Sequence, residues 1–176
     1  MPAERFVTQL NEQIGNEFAA HQQYLAAAVY YDALTMPQTA GFFYRQAMEE
    51  RGHGMMMIRY LLDQGEPAAI PGIAAPVTDF ADVVAPIELA LEQEKRVTEQ
   101  INQLTKTARE ESDFASDQFM QWFIKEQVEE VATMGDLLMV AGRSRDNVAF
   151  IEDYILREQQ DEAADPTAPP EAGAEA

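Results

Sequence analysis

Cysteine is missing from all 176 residues, and lysine and arginine together number 12 against 31 aspartates and glutamates. The first absence excludes disulfides, thiolate metal sites and cysteine nucleophiles. The second leaves a net charge of −19, which repels a nucleic-acid backbone and favours cations. Charge of this size also serves plain solubility, so its placement matters more than its sum. No apolar stretch approaches a membrane span; the longest candidate, around Leu25 to Val29, is far too short. Met1-Pro2-Ala3-Glu4-Arg5-Phe6 lacks the basic start and apolar run of a secretory leader, so a cytoplasmic location is expected. Only nine glycines and nine prolines are present, and hydrophobic residues make up 47% of the chain, ample for one domain with a real core.

What the chain does contain is a series of amphipathic helical stretches. Over residues 4 to 33, Leu10, Ile14, Glu17, His21, Tyr24, Ala28 and Tyr31 recur in steps of three and four, one face of a helix. Leu34-Thr35-Met36-Pro37 marks a break, with Pro37 suited to the first turn of a second helix over 37 to 64. That helix turns Phe43, Ala47, Glu50, His53, Met57 and Leu61 inward and ends at Gly65, a C-cap residue. The segment from 65 to 85 is polar and rich in proline and glycine. At roughly 20 residues it can cross a whole bundle, since extended chain covers ~3.3 Å per residue, and this makes the second and third helices parallel.

A third helix over 86 to 111 carries the seam Ile87, Ala90, Glu94, Val97, Ile101, Leu104 and Ala108. After a turn at Glu111-Ser112-Asp113, a fourth over 115 to 142 carries Met120, Phe123, Gln127, Glu130, Met134, Leu137 and Ala141, closed by Gly142. Residues 146 to 157 form a short fifth helix with Asp146 as N-cap. From Gln159 onward the chain is acidic and rich in alanine and proline, a composition that predicts disorder. The expected organisation is therefore an all-α four-helix bundle with a long crossover and a short fifth helix over 1–158, followed by a disordered acidic tail over 159–176.

Each long helix carries a polar interruption at mid-length on its apolar face: Glu17, Glu50 with His53, Glu94, and Gln127 with Glu130. A single inward glutamate would be unremarkable as a misplaced face. Four together are harder to accommodate. Each unpaired buried charge costs several kcal/mol, and four converging carboxylates would exceed the ~5–15 kcal/mol by which a domain is stable. No lysine or arginine lies on these seams to pair with them. Metal cations solve the problem. One imidazole with several carboxylates suits iron or manganese, with zinc able to compete. With Glu50 as bridge, Glu17 and His53 would hold one ion, and Glu94 with Glu130 the other. Gln127 stands where a fully ligated second position would have another carboxylate, so the second ion is held less tightly.

Glu49, Glu126 and Glu129 neighbour these residues and either hold a third ion or form a solvated acidic face. Tyr24 either hydrogen-bonds a ligand or gives an electron, or is a core tyrosine with a satisfied hydroxyl. Trp122 has the same two readings and leans towards packing, as do Met55, Met56 and Met57. His21 is read as a satisfied core histidine.

Asn16-Glu17-Phe18, Gln23-Tyr24, Glu49-Glu50-Arg51-Gly52-His53, Glu94, Gln121-Trp122-Phe123 and Glu126-Gln127-Val128-Glu129-Glu130 together resemble the non-haem bacterial ferritins, actinobacterial members above all. The likeness covers roughly residues 5 to 157. It implies a ferritin-like fold in a 24-subunit shell that oxidises ferrous iron and stores a ferric oxyhydroxide mineral. By position, it implies a first iron site of Glu17, Glu50 and His53, and a second of Glu50, Glu94 and Glu130 with Gln127 nearby. It implies a third of Glu49, Glu126, Glu129 and Glu130, with Tyr24 beside the centre. The haem-ligating methionine of bacterioferritins falls where this chain has Arg51, and their second Glu-x-x-His is replaced by Gln127-x-x-Glu130, so no haem is expected. At the three-fold pores of the family only Asp117 matches a carboxylate, with Met120 one turn on.

The leading expectation is a ferroxidase and iron store: a homo-oligomer taking Fe(II) and O2 or H2O2, and binding neither nucleic acid nor membrane. The alternatives are a haem-containing bacterioferritin, a di-metal bundle that scavenges peroxide without storage, and a non-catalytic acidic scaffold or haem carrier.

Overall fold

The computed structural model describes residues 1–158 and 165–173. Among them the chain forms five helices and no strand: α1 (Glu4–Ala33), α2 (Pro37–Asp63), α3 (Ala85–Glu110), α4 (Phe114–Arg143) and α5 (Val148–Glu158). The order and lengths agree with the periodicity of the sequence. None of these helices is long and apolar enough to cross a membrane.

Three of the helix ends use one device. Thr35, Gly65 and Ser112 follow α1, α2 and α3 with φ of 59°, 75° and 57°. In each, the next amide reaches back to the last full turn: Met36 N to Tyr31 O (3.1 Å), Glu66 N to Leu61 O (2.9 Å) and Asp113 N to Ala108 O (2.8 Å). This is the left-handed C-terminal motif that caps otherwise orphaned carbonyls. Asp113 then caps α4, its carboxylate accepting from Ser116 N at 3.1 Å. Two boundary expectations need correction. Gly142 does not close α4, which runs on to Arg143 and is capped at Ser144. Asp146 does not cap α5, which begins at Val148 after a turn in which Asn147 N bonds Ser144 O (2.8 Å).

Helix directions follow from contacts along α1. Phe6 meets Tyr60, His21 meets Ala47 and Asp32 meets Tyr44, so α2 runs antiparallel to α1. Arg5 meets Glu110, Tyr24 meets Glu94 and Tyr31 meets Val83, so α3 is also antiparallel to α1 and parallel to α2. The crossover that makes this possible lies along α1. Asn11 bonds Pro67 O and Ala69 N (3.1 and 2.6 Å), Gln23 exchanges two bonds with Val77 (2.9 and 2.8 Å), and Tyr31 donates to Val83 O (2.7 Å). Gly15 lies beneath this segment, where a Cβ would sit 2.7 Å from Pro71 Cγ.

The core is in two parts. One gathers Tyr31, Phe43, Ile87, Met134, Leu137, Ile151 and Ile155; the other gathers Phe6, Leu10, Met57, Leu61, Ile101, Leu104 and Met120. Between them lies a layer of polar side chains, and that layer is the feature of the fold that asks for an explanation.

The disorder expected from residue 159 concerns, for 159–164 and 174–176, positions outside the described residues. Residues 165–173 have defined contacts against α2 and α4. Asp165 accepts from Trp122 Nε1 (3.2 Å) and Lys125 Nζ (3.1 Å), and Ala172 N donates to Met55 O (3.1 Å). Ala168 and Ala172 also pack on the core containing Met57.

Candidate metal centre

Glu17 on α1, Glu50 and His53 on α2, Glu94 on α3, and Gln127 and Glu130 on α4 are all at most 5% exposed. The helical period turns them inward because each continues an apolar seam, and Glu50 and His53, three apart, share one face of α2. Among the described residues, Glu17, Glu50 and His53 form the one group of three with ligand atoms all within 4.8 Å of each other. His53 Nδ1 lies 3.3 Å from Glu50 Oε2 and 3.8 Å from Glu17 Oε2.

Tyr24 donates a short hydrogen bond to Glu94, which Gln127 Nε2 also reaches at 3.5 Å. Thr98 lies 2.9 Å from Gln127 Oε1 and 2.8 Å from the Glu94 carbonyl. Glu130 joins this side, where the charges of Glu94 and Glu49 act on it. Glu94 and Glu130 are thus in the polar layer but outside the close group of three. The neighbours Glu49, Glu126 and Glu129 are less gathered still. Glu49 accepts from Gln46, Glu126 is half-buried, and Glu129 is exposed with Lys125 at 3.7 Å. Tyr24 is itself fully buried, and its bond to Glu94 places it beside the centre as well as in the core.

The electrostatics of the layer are those of a site short of positive charge. Burial drives Glu50 well above the usual carboxylate range, with the Glu94 charge adding to it. Burial and the Glu94 and Glu49 charges do the same for Glu130, and burial raises Glu94. Burial opposes charge on His53, but the carboxylates of Glu17 and Glu50 outweigh it and push the imidazole well above its ordinary value. Glu17 is the exception: burial raises it, yet His53 more than compensates and holds it below the usual range. Burial, the nearby carboxylates and the Glu94 bond push the Tyr24 phenol well up. The layer therefore balances its charge with protons wherever no cation does so.

A cation fits these residues on the structure's own terms. Glu17 Oε2 is buried without a hydrogen-bond partner although it faces the imidazole and Glu50. A carboxylate oxygen left in that state costs free energy unless something else occupies its lone pair. The donor set is hard oxygen with one nitrogen, the kind that iron, manganese and zinc accept.

Two partners of the layer were not singled out from the sequence: Gln13 Nε2 donates to Glu17 Oε1 at 2.9 Å, and Thr98 contacts Gln127. Trp122, read from the sequence as leaning towards packing, sits edge-on to His53 with ring centroids 5.6 Å apart. Gln13 stands four residues before Glu17 on the same seam, so its spacing held a usable signal. Of the remaining residues, His21 is satisfied at Nδ1 by Ala47 O (2.5 Å), Met56 and Met57 are core residues, and Arg51 is exposed. Met120 is fully buried in the core, as its place on the α4 seam predicts, and Asp117 pairs with Arg109 at 3.1 Å.

The chain is similar to known proteins over most of its length. The model of the ferritin-like domain family matches residues 7–143. Ferritin BfrB of Mycolicibacterium smegmatis is 48% identical over 169 residues, covering 96% of this chain and 93% of that protein. Ferritin BfrB of Mycobacterium tuberculosis is 45% identical over 172 residues, covering 98% and 95%. The bacterial non-heme ferritin of Staphylococcus aureus is 36% identical over 132 residues, covering 75% and 80%. Among solved structures, an open pore ferritin of the archaeon Archaeoglobus fulgidus superposes with a TM-score of 0.85 at 27% identity, covering 91% of this chain and 99% of that one.

Proposed function

The chain belongs to the ferritin family, and from that premise we propose that it stores iron and oxidises Fe(II) to Fe(III) at the polar layer. The observation that carries the proposal is the close trio of Glu17, Glu50 and His53, with one glutamate oxygen buried and without a hydrogen-bond partner. In this reading those three side chains bind the first ferrous ion. Glu94 and Glu130, with Glu50 as bridge, bind the second. Each ion gives up one electron, so a pair supplies the two that reduce O2 to peroxide or H2O2 to water. Hard anionic carboxylates favour Fe(III) over Fe(II) and so assist that transfer.

The protein's part is arrangement and charge. Gln127, an amide where another carboxylate would hold the ion more firmly, weakens the second position and suits an ion that passes through. Tyr24 orients Glu94 through its hydroxyl. Glu49, Glu126 and Glu129 take the oxidised ion on its way to the mineral. The assembly is a hollow homo-oligomer of 24 subunits, cytoplasmic, with no haem.

Stopped-flow absorbance after mixing Fe(II) with the aerobic protein tests the centre. Glu50→Ala removes the bridge and is expected to slow oxidation at least tenfold; oxidation at the unaltered rate would reject it. Native mass together with metal content tests the store. An iron-filled 24-mer supports it, and a monomer or dimer points to a peroxide-scavenging bundle instead. A Soret band in the purified protein would mark a bacterioferritin.

A further inference from the structure

Gln13 lies one turn before Glu17 on α1 and is as deeply buried, at 2% exposure. Its amide nitrogen donates to Glu17 Oε1 at 2.9 Å, and its amide oxygen accepts from Asn16 Nδ2 at 3.0 Å. A carboxylate oxygen only accepts, so the nitrogen end of the amide must face Glu17. The Asn16 bond holds the amide in that sense. With Oε1 so engaged, Oε2 is the oxygen of Glu17 left buried and unpartnered, 3.8 Å from His53 Nδ1.

We propose that Gln13, set by Asn16, is a positioning residue that occupies one oxygen of Glu17 and presents the other alone to the first ion. The inference rests on the reading that Glu17 is a ligand of that ion. Its consequence is one-oxygen coordination. A glutamate free to grip with both oxygens would fill a coordination place that the oxidant needs, and a glutamate free to rotate would bind less firmly. Outer hydrogen-bond partners of this kind typically govern metal affinity by about 10–100-fold.

Co(II), which is not oxidised under these conditions and has a visible band sensitive to coordination number, serves as the probe. It is titrated into the full-length, metal-free chain. Binding to the unaltered chain that is lost in Glu17→Gln establishes the ligand; without that, the reading of the centre fails, whatever Gln13 does. Given it, Gln13→Met, close in volume and without the amide, is expected to weaken Co(II) binding about 10–100-fold and to alter the band. Asn16→Ala, at a half-exposed position, should act in the same direction more weakly and keeps the test available if Gln13→Met does not fold. Both act through one amide, so the double variant should bind no more weakly than Gln13→Met alone. Unchanged affinity, an unchanged band, or losses that simply add would overturn the proposal.

Discussion

A glutamate whose carboxyl is made harder to ionise by burial and by neighbouring carboxylates is a poor choice for a core unless it has another duty. Glu130 is such a residue, raised by burial and by the Glu94 and Glu49 charges. A carboxyl raised in the folded state contributes stability that is full below its unfolded pKa, about 4.3, and is lost as pH rises through its folded value. Metal-free Glu130→Gln has no such loss. It is expected to be more stable than the parent near neutral pH, by on the order of 1 kcal/mol, with a flatter profile of melting temperature against pH. Equal melting temperatures at neutral pH would refute the point. Metal binding shows the opposite dependence. Glu50, Glu94, Glu130 and His53 all hold their protons more tightly than usual, and a cation must displace them. Zn(II) affinity should therefore rise with pH through the range in which these groups give up their protons, by more than tenfold per unit where more than one proton leaves per ion. Calorimetry in buffers of differing ionisation enthalpy counts those protons directly; a count of zero would contradict the assignment.

Among the elements, the ends of α1, α2 and α3 fall at the breaks expected at 34–37, Gly65 and 111–113. Gly65 announces the end of α2, whereas Thr35 and Ser112 adopt the same left-handed conformation with no glycine to signal it. For a β-branched residue that conformation is strained by about 1–2 kcal/mol. Thr35→Gly should relieve the strain against a smaller entropic cost, for a net gain of roughly 0.5–1 kcal/mol in chemical denaturation; a loss of stability would show that Thr35 has a favourable role. Gly142 illustrates the converse, a glycine read as a stop that α4 passes through. In the C-terminal segment, Asp165 bonds the indole of Trp122, the chain's single tryptophan. Truncation after Glu158 should expose that ring and shift its emission to the red, and an unmoved spectrum would place the segment elsewhere in solution.

Over the whole molecule, two apolar cores are separated by a layer whose charges the chain itself does not balance. A cation that binds only the folded state must then stabilise it, by about 2.7 kcal/mol at a free concentration one hundred times the dissociation constant. The melting temperature of the chelated protein should climb with added Zn(II), and the climb should vanish in Glu17→Gln. The number of helices, their faces, the crossover and the five inward ionisable residues were legible in the sequence, because each is a matter of period and length along one chain. The grouping of Glu17, Glu50 and His53 was expected too, but how closely each residue of the layer approaches the others was not legible. Glu17, Glu50 and His53 come within 4.8 Å of one another, while Glu94 and Glu130 stand outside that group. The helical period sets only the direction in which a side chain leaves its helix. How far it stands from a side chain on another helix depends on the depth, rotation and offset of the two, and those are decided only when the whole bundle packs.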